Sequence, residues 1–169
     1  MARSDAPRVY LAGPLGFTAA GRAFHAAEVL PRVREAGFVP LDPWEVPASI
    51  ATVFSLPKRD PGRPAALRTA NRAAGRRNAA MIADADAVLA ILDGTDVDSG
   101  TAAEIGYAAA LHKPVVGLRM DLRVAGDNEA TIVNLQVEWF IRESGGRLLD
   151  TNIDDAIAAL TKVLRRTRP

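Results

Sequence analysis

The segment Asp86-Ala87-Val88-Leu89-Ala90-Ile91-Leu92 is almost continuously apolar. Successive side chains of a strand point to opposite faces, so a strand without polar alternation must be covered on both. Antiparallel sheets usually leave one face to water. Parallel sheets, whose crossover helices pack on both faces, do not. This run therefore predicts the central strand of a parallel sheet.

The rest of the chain supplies the expected alternation. Val9-Tyr10-Leu11-Ala12 is an apolar run broken by Gly13-Pro14. A helical pattern follows over about 19–36, with Phe24, Ala27, Val29, Leu30 and Val33 on its apolar face and Gly37 at its end. Phe38-Val39-Pro40-Leu41 reads as a second strand and Asp42-Pro43-Trp44 as a turn. Residues 46–63 have several Pro and Gly and no clean period. They read as a long loop with room for a short helix, the kind that forms lids and binding loops. A helix over 64–83 precedes the central strand at 86–92. A loop over 93–100, a helix over 101–111, a strand over 114–118 and a loop over 121–131 come next. A helix over 134–143, a weak strand over 147–149 and a final helix over 152–165 complete the pattern. The prediction is a doubly wound α/β fold: a mainly parallel five-stranded sheet with helices on both faces. At 169 residues it should form a single domain over 1–169.

Charge and composition narrow the function classes. The formal net charge is +1, whereas a nucleic-acid binder normally carries a basic surplus or stripe. Of the two dense basic runs, 72–77 and 165–168, the second reads as a solvated tail. There is no cysteine, which excludes disulfides, thiolate catalysis and Cys-ligated zinc. His25 and His112 are far apart and lack a ligand-spaced partner, so no metal is expected. No apolar run reaches membrane-spanning length. The first eight residues carry charge but no apolar core of a signal peptide. The expectation is a cytoplasmic protein without membrane or nucleic-acid partners. No Gly-x-Gly-x-x-Gly follows the first strand, which argues against a dinucleotide cofactor; no cofactor is expected.

Ligands on such sheets bind beyond the carboxyl ends of the strands. Gly13-Pro14 follows the first strand, Asp42 and Trp44 the second, and the stretch Asp93 to Glu104 the third. Spacing alone makes Thr101-Ala102-Ala103-Glu104 a capping box, with Thr101 capping the helix and Glu104 returning to its backbone N–H. Asp93, Asp96 and Asp98 would then be ordinary turn residues. The alternative turns Glu104 into the cleft, in the first turn of its helix, where the dipole keeps it ionised as a nucleophile. Asp98 would be its partner. Two carboxyl groups, one nucleophile and one proton handler, suit glycosidic cleavage through an oxocarbenium-like state.

Four segments carry a family resemblance: Tyr10-Leu11-Ala12-Gly13-Pro14-Leu15, Ala83-Asp84-Ala85-Asp86-Ala87-Val88, Asp98-Ser99-Gly100-Thr101-Ala102-Ala103-Glu104-Ile105-Gly106-Tyr107-Ala108, and Asn134-Leu135. Together, over roughly 8–142, the chain resembles the nucleoside 2-deoxyribosyltransferase family. The resemblance implies a double displacement on 2′-deoxynucleosides and free nucleobases. Glu104 would attack C1′, a covalent deoxyribosyl-enzyme would form, and a second base would resolve it with net retention. Asp98 would bind the base and help move its proton, and Tyr10 would orient the nucleophile. Asn134 would reach the sugar in a neighbouring subunit's site, which makes a homodimer or higher homo-oligomer the expected state. One position departs from many members: eight residues before Asp86, where an Asp contacts the base, this chain has Asn78. An amide can hydrogen-bond a base edge but cannot exchange a proton as a carboxylic acid does.

Read from the residues themselves, Tyr10 is equally a core residue and Asn134 equally a helix N-cap. Gly13 would let backbone approach a ligand, and Phe17 and Trp44 would either stack on a base or plug the loop. Two rivals stand beside deoxyribosyl transfer. One is an N-glycosidase on the same scaffold, acting on a nucleoside or its 5′-monophosphate, in which water resolves the intermediate. A 5′-phosphate would need small hydroxyl residues and Gly after the first strand, where Gly13-Pro14-Leu15-Gly16-Phe17 is apolar and only Thr18 and Arg22 are candidates. The other rival is a non-catalytic nucleotide-binding module, which would not need the acid pair.

Overall fold

A computed structural model describes residues 6–167. The chain forms five strands, β1 (Arg8–Ala12), β2 (Val39–Leu41), β3 (Ala87–Ile91), β4 (Val115–Leu118) and β5 (Arg147–Leu149). They lie in the order β2-β1-β3-β4-β5, and every pairing is parallel. The order reverses between β1 and β3, so the crevice at their carboxyl ends is where a ligand is expected.

The apolar runs are explained by this placement. Val9 and Leu11 of β1, with Leu89 and Ile91 of β3, face a core completed by Val29, Val33, Ile153, Leu160 and Leu164. Tyr10 and Ala12, with Val88 and Ala90, face the opposite core with Ile82, Ile105 and Ile141. The strands are thus buried on both sides. Deleting one such side chain to Ala costs about 2–5 kcal/mol. The first face is covered by α2 (Leu30–Glu35) and α7 (Ile153–Thr167), the second by α4 (Arg63–Asp84), α5 (Ser99–Ala110) and α6 (Leu135–Glu143).

Two local readings change, and the short helix allowed for in a third is present. The helix expected over 19–36 is α1 (Ala19–Phe24), a π-helical turn (His25–Val29) and α2. Pro31 sits at the start of α2. In an unbroken α-helix its ring would collide with the carbonyl of Ala27. The wider π turn, closed by Leu30 N–H donating to His25 O, relieves that crowding. The loop expected over 46–63 contains α3 (Ala48–Phe54), which begins after Pro47. Its i, i+4 pair Ile50 and Phe54 lies on one face. Finally, α5 begins earlier than the capping-box reading has it, with consequences for the site.

Candidate active site

The α5 N-cap is Asp98, not Thr101. The Asp98 carboxylate accepts from Thr101 N at 3.0 Å and Thr101 Oγ1 at 3.2 Å, both through Oδ2. Ser99-Gly100-Thr101 therefore forms the first turn, and Thr101 is buried within it. This overturns the capping box. It also moves Glu104 into the second turn, away from the N-terminal amides whose field fades within one turn. The side chain of Glu104 is released from local capping and turns to the sheet.

Its partner there is Tyr10. The Tyr10 hydroxyl donates to Glu104 Oε1 at 2.6 Å, joining residues 94 apart in sequence. Tyr10 is fully buried on β1. The ring belongs to the core, while the hydroxyl reaches the carboxylate. Burial raises the pKa of Tyr10 far above its usual value, and the Glu104 charge raises it further. The phenol stays protonated and is a fixed donor. Glu104 is also raised, mainly by burial and additionally by the nearby Asp98 charge, while the Tyr10 hydrogen bond pulls it back down. The dipole-stabilised carboxylate expected from sequence is replaced by one that burial disfavours and Tyr10 supports.

Glu104 opens into a cavity of about 300 Å³ beyond the carboxyl ends of β1 and β3. Gly13, Phe17, Trp44, Asn78 and Asp98 line it too, so seven of the eight residues singled out in the sequence converge, six on the cavity and Tyr10 beneath Glu104. Gly13 has φ +149°, and a Cβ there would meet Ile91 Cβ at 3.0 Å, so the sharp exit from β1 requires glycine. Among the described residues none hydrogen-bonds Asp98 Oδ1. Of the other loop aspartates, Asp93 accepts from Met120 N and Asp121 N, and Asp96 from Val97 N. These are structural, as turn residues are.

Asn134 stands apart. Its side chain caps α6 by accepting from Gln136 N at 3.0 Å, and it does not line the cavity. The residues missed in the sequence are Ile50 and Phe54 of α3, which form an apolar wall with Pro43, Val46 and Pro47, and Arg77. Arg77 belongs to a basic run, but Nη1 donates to Pro43 O at 3.3 Å and Nη2 to Asp42 O at 3.1 Å, which ties α4 to the turn after β2. No spacing rule links residues 35 apart, so only the fold could reveal it. A wider groove of about 690 Å³ runs along the 119–132 loop, but none of the candidate residues lines it.

The arrangement presents a carboxylate oriented by a phenol, a second carboxyl group on the same wall, and a largely apolar slot. Among the described residues no group of three or more His, Asp or Glu is placed to hold a metal ion. No helix there is long and apolar enough to cross a membrane.

A family model for nucleoside 2-deoxyribosyltransferase matches residues 9–136. No curated protein is significantly similar in sequence. Among solved structures, a 2-deoxyribosyltransferase from Leishmania mexicana shares 22% identity at TM-score 0.61, covering 96% of this chain and 99% of that one. The 2-deoxyribosyltransferase of the psychrotolerant Bacillus psychrosaccharolyticus shares 21% identity at TM-score 0.58, covering 93% and 95%. A CMP N-glycosidase from Clostridium botulinum shares 15% identity at TM-score 0.55, covering 92% and 98%. At these identities the likeness is one of fold.

Proposed function

The chain belongs to the nucleoside 2-deoxyribosyltransferase family, and from that premise we propose that it transfers 2-deoxyribose between nucleobases through a covalent deoxyribosyl-Glu104 intermediate. The observation that carries this reading is the Tyr10–Glu104 hydrogen bond of 2.6 Å at the cavity, with Asp98 lining the same space.

In the first step a Glu104 carboxylate oxygen forms a bond to C1′ as the C1′–N bond to the base breaks. The electron pair leaves with the base, and Asp98, in its carboxylic acid form for this step, delivers the proton that the departing nitrogen needs and becomes the carboxylate. In the second step a new base attacks C1′, the Glu104–C1′ ester bond breaks, and the incoming base returns its proton to Asp98. Two inversions give net retention. Tyr10 holds Glu104 in line and supports its charge when the ester breaks. Phe17 and Trp44 flank the base, Gly13 admits it close to the backbone, and Asn78 hydrogen-bonds its edge. Asn134 serves a neighbouring subunit's sugar. Within this reading the protein is a salvage enzyme acting on nucleosides and bases, working as a homo-oligomer.

Hydrolysis of the same intermediate by water is the second reading, supported by the fold shared with an N-glycosidase. The region after β1 favours a free 5′-hydroxyl over a phosphate. Thr18 Oγ1 accepts from Gly21 N as the α1 cap, and Arg22 Nη1 donates to Gly16 O at 2.9 Å, so both polar candidates already have local partners. Incubation with thymidine plus adenine, followed by chromatography, separates the readings. Deoxyadenosine is the expected product. Free deoxyribose and thymine with no new nucleoside would establish hydrolysis instead.

A further inference from the structure

We propose that the buried His25–Asp42 pair is a positioning device for the base subsite, fixing Trp44 as a rigid wall of the cavity. The word base rests on the function proposed above; the link from pair to wall does not.

His25 and Asp42 are 8% and 4% exposed, and neither lines the cavity. His25 comes from the π turn and Asp42 from the end of β2, and Nε2 lies 2.8 Å from Oδ2. Burying two such polar groups is costly unless each is satisfied. An apolar pair of similar volume would serve stability as well or better. What the carboxylate adds is a second contact: Oδ1 accepts from Trp44 N at 2.9 Å. One carboxylate thereby joins the helix to the turn that carries the indole.

The rest of Trp44 is held as firmly. Indole Nε1 donates to Gly13 O at 3.3 Å. The ring lies against Gly16, where an added Cβ would sit 2.0 Å from it. Phe17 meets it edge-on, with centroids 4.8 Å apart at 83°. Arg77 secures the carbonyls of Asp42 and Pro43 from α4. A wall ordered before binding loses no conformational freedom when a flat ligand arrives. The reacting groups stand on β1 and α5 and make no hydrogen bond to this turn. Loosening Trp44 should therefore weaken binding and spare the chemical step.

The chain has two tryptophans, so a Trp139→Phe background makes Trp44 the sole reporter, and that parent is the reference for every variant. His25→Leu should red-shift the emission and increase acrylamide quenching. It should raise KM for a deoxynucleoside about tenfold while kcat stays within about twofold. His25→Gln, whose amide can still donate to Asp42, should restore both. Gly16→Ala displaces the indole without touching the pair and should raise KM likewise. Unchanged Trp44 emission in folded His25→Leu would overturn the link from pair to wall; if that variant does not fold, His25→Asn replaces it under the same criterion. A fall in kcat at constant KM, or an unchanged KM in a Gly16→Ala protein with shifted emission, would overturn the positioning role. Should the parent turn over no nucleoside, the function proposed above fails, while apo emission and quenching by adenine still test the pair.

Discussion

Burial acts on both ends of the Tyr10–Glu104 hydrogen bond, and the two ends respond in ways that can be measured. The raised pKa of Glu104 means that the folded protein disfavours its charged form. Below the ordinary carboxylate range Glu104 is protonated whether folded or not, and its burial then carries no charge penalty. As pH rises through the raised folded value, the penalty appears and stability falls relative to a neutral isostere. Glu104→Gln is therefore expected to abolish turnover while matching or exceeding native thermal stability at pH 7, with the difference closing in acid. A Tm lower than native at pH 7 would refute this account. The same direction sets activity. As the proposed nucleophile, Glu104 must be ionised, so the acidic limb of kcat/KM should lie above the ordinary glutamate value. Because Tyr10 pulls Glu104 down, Tyr10→Phe should move that limb to higher pH. It should also lower kcat/KM by roughly ten- to a hundredfold, as loss of a hydrogen bond to a charged group does. A pH–rate profile unmoved by Tyr10→Phe would sever the two residues.

At the scale of elements, the beginning of α5 decides what Glu104 can do. Because Asp98 caps the helix, Thr101 is buried and Glu104 is free to face β1. One residue thus holds both the helix start and a wall of the cavity, and two variants separate those roles. Asn caps as well as Asp, so Asp98→Asn should keep the Tm close to native while lowering transfer by the loss of its proton. Asp98→Ala should in addition cost about 1 kcal/mol of stability, the usual worth of a cap. Equal thermal stability of the two variants would argue against capping. Full activity of Asp98→Asn would remove the proton role. The α1–α2 boundary shows similar economy: the π turn that accommodates Pro31 is also the one that places His25 against Asp42.

For the whole molecule, the sheet order puts the reversal between β1 and β3 beneath the cavity, where residues from β1, α4, α5 and the turn after β2 meet. Large apolar side chains are also exposed along α5 and α6. Tyr107 on α5 and Leu111 at its C-cap form one exposed i, i+4 pair, and Leu135 (52% exposed) and Trp139 (57%) on α6 form another, next to Asn134. Such apolar exposure on adjacent helices fits a covered surface, and it supports assembly in which Asn134 of one copy serves another. Trp139→Glu is expected to shift the protein to monomer in sedimentation velocity and to reduce transfer in step. A monomeric native protein with full activity would dismiss the assembly.

The sequence alone was sufficient for the layered α/β fold, the order of its elements and the strand ends where the site gathers. These follow from local periodicity and from a central strand too apolar for any one-sided sheet. The tertiary structure decided what depends on contacts distant in the chain. Tyr10 meets Glu104 across 94 positions, His25 meets Asp42 across 17, and Arg77 reaches the turn after β2 from α4. It also replaced the α5 cap expected from the sequence, Thr101, by Asp98. Capping energies differ by only a few tenths of a kcal/mol between good cap residues, whereas burying Thr101 and turning Glu104 onto a buried phenol involves the packing of a whole helix against the sheet.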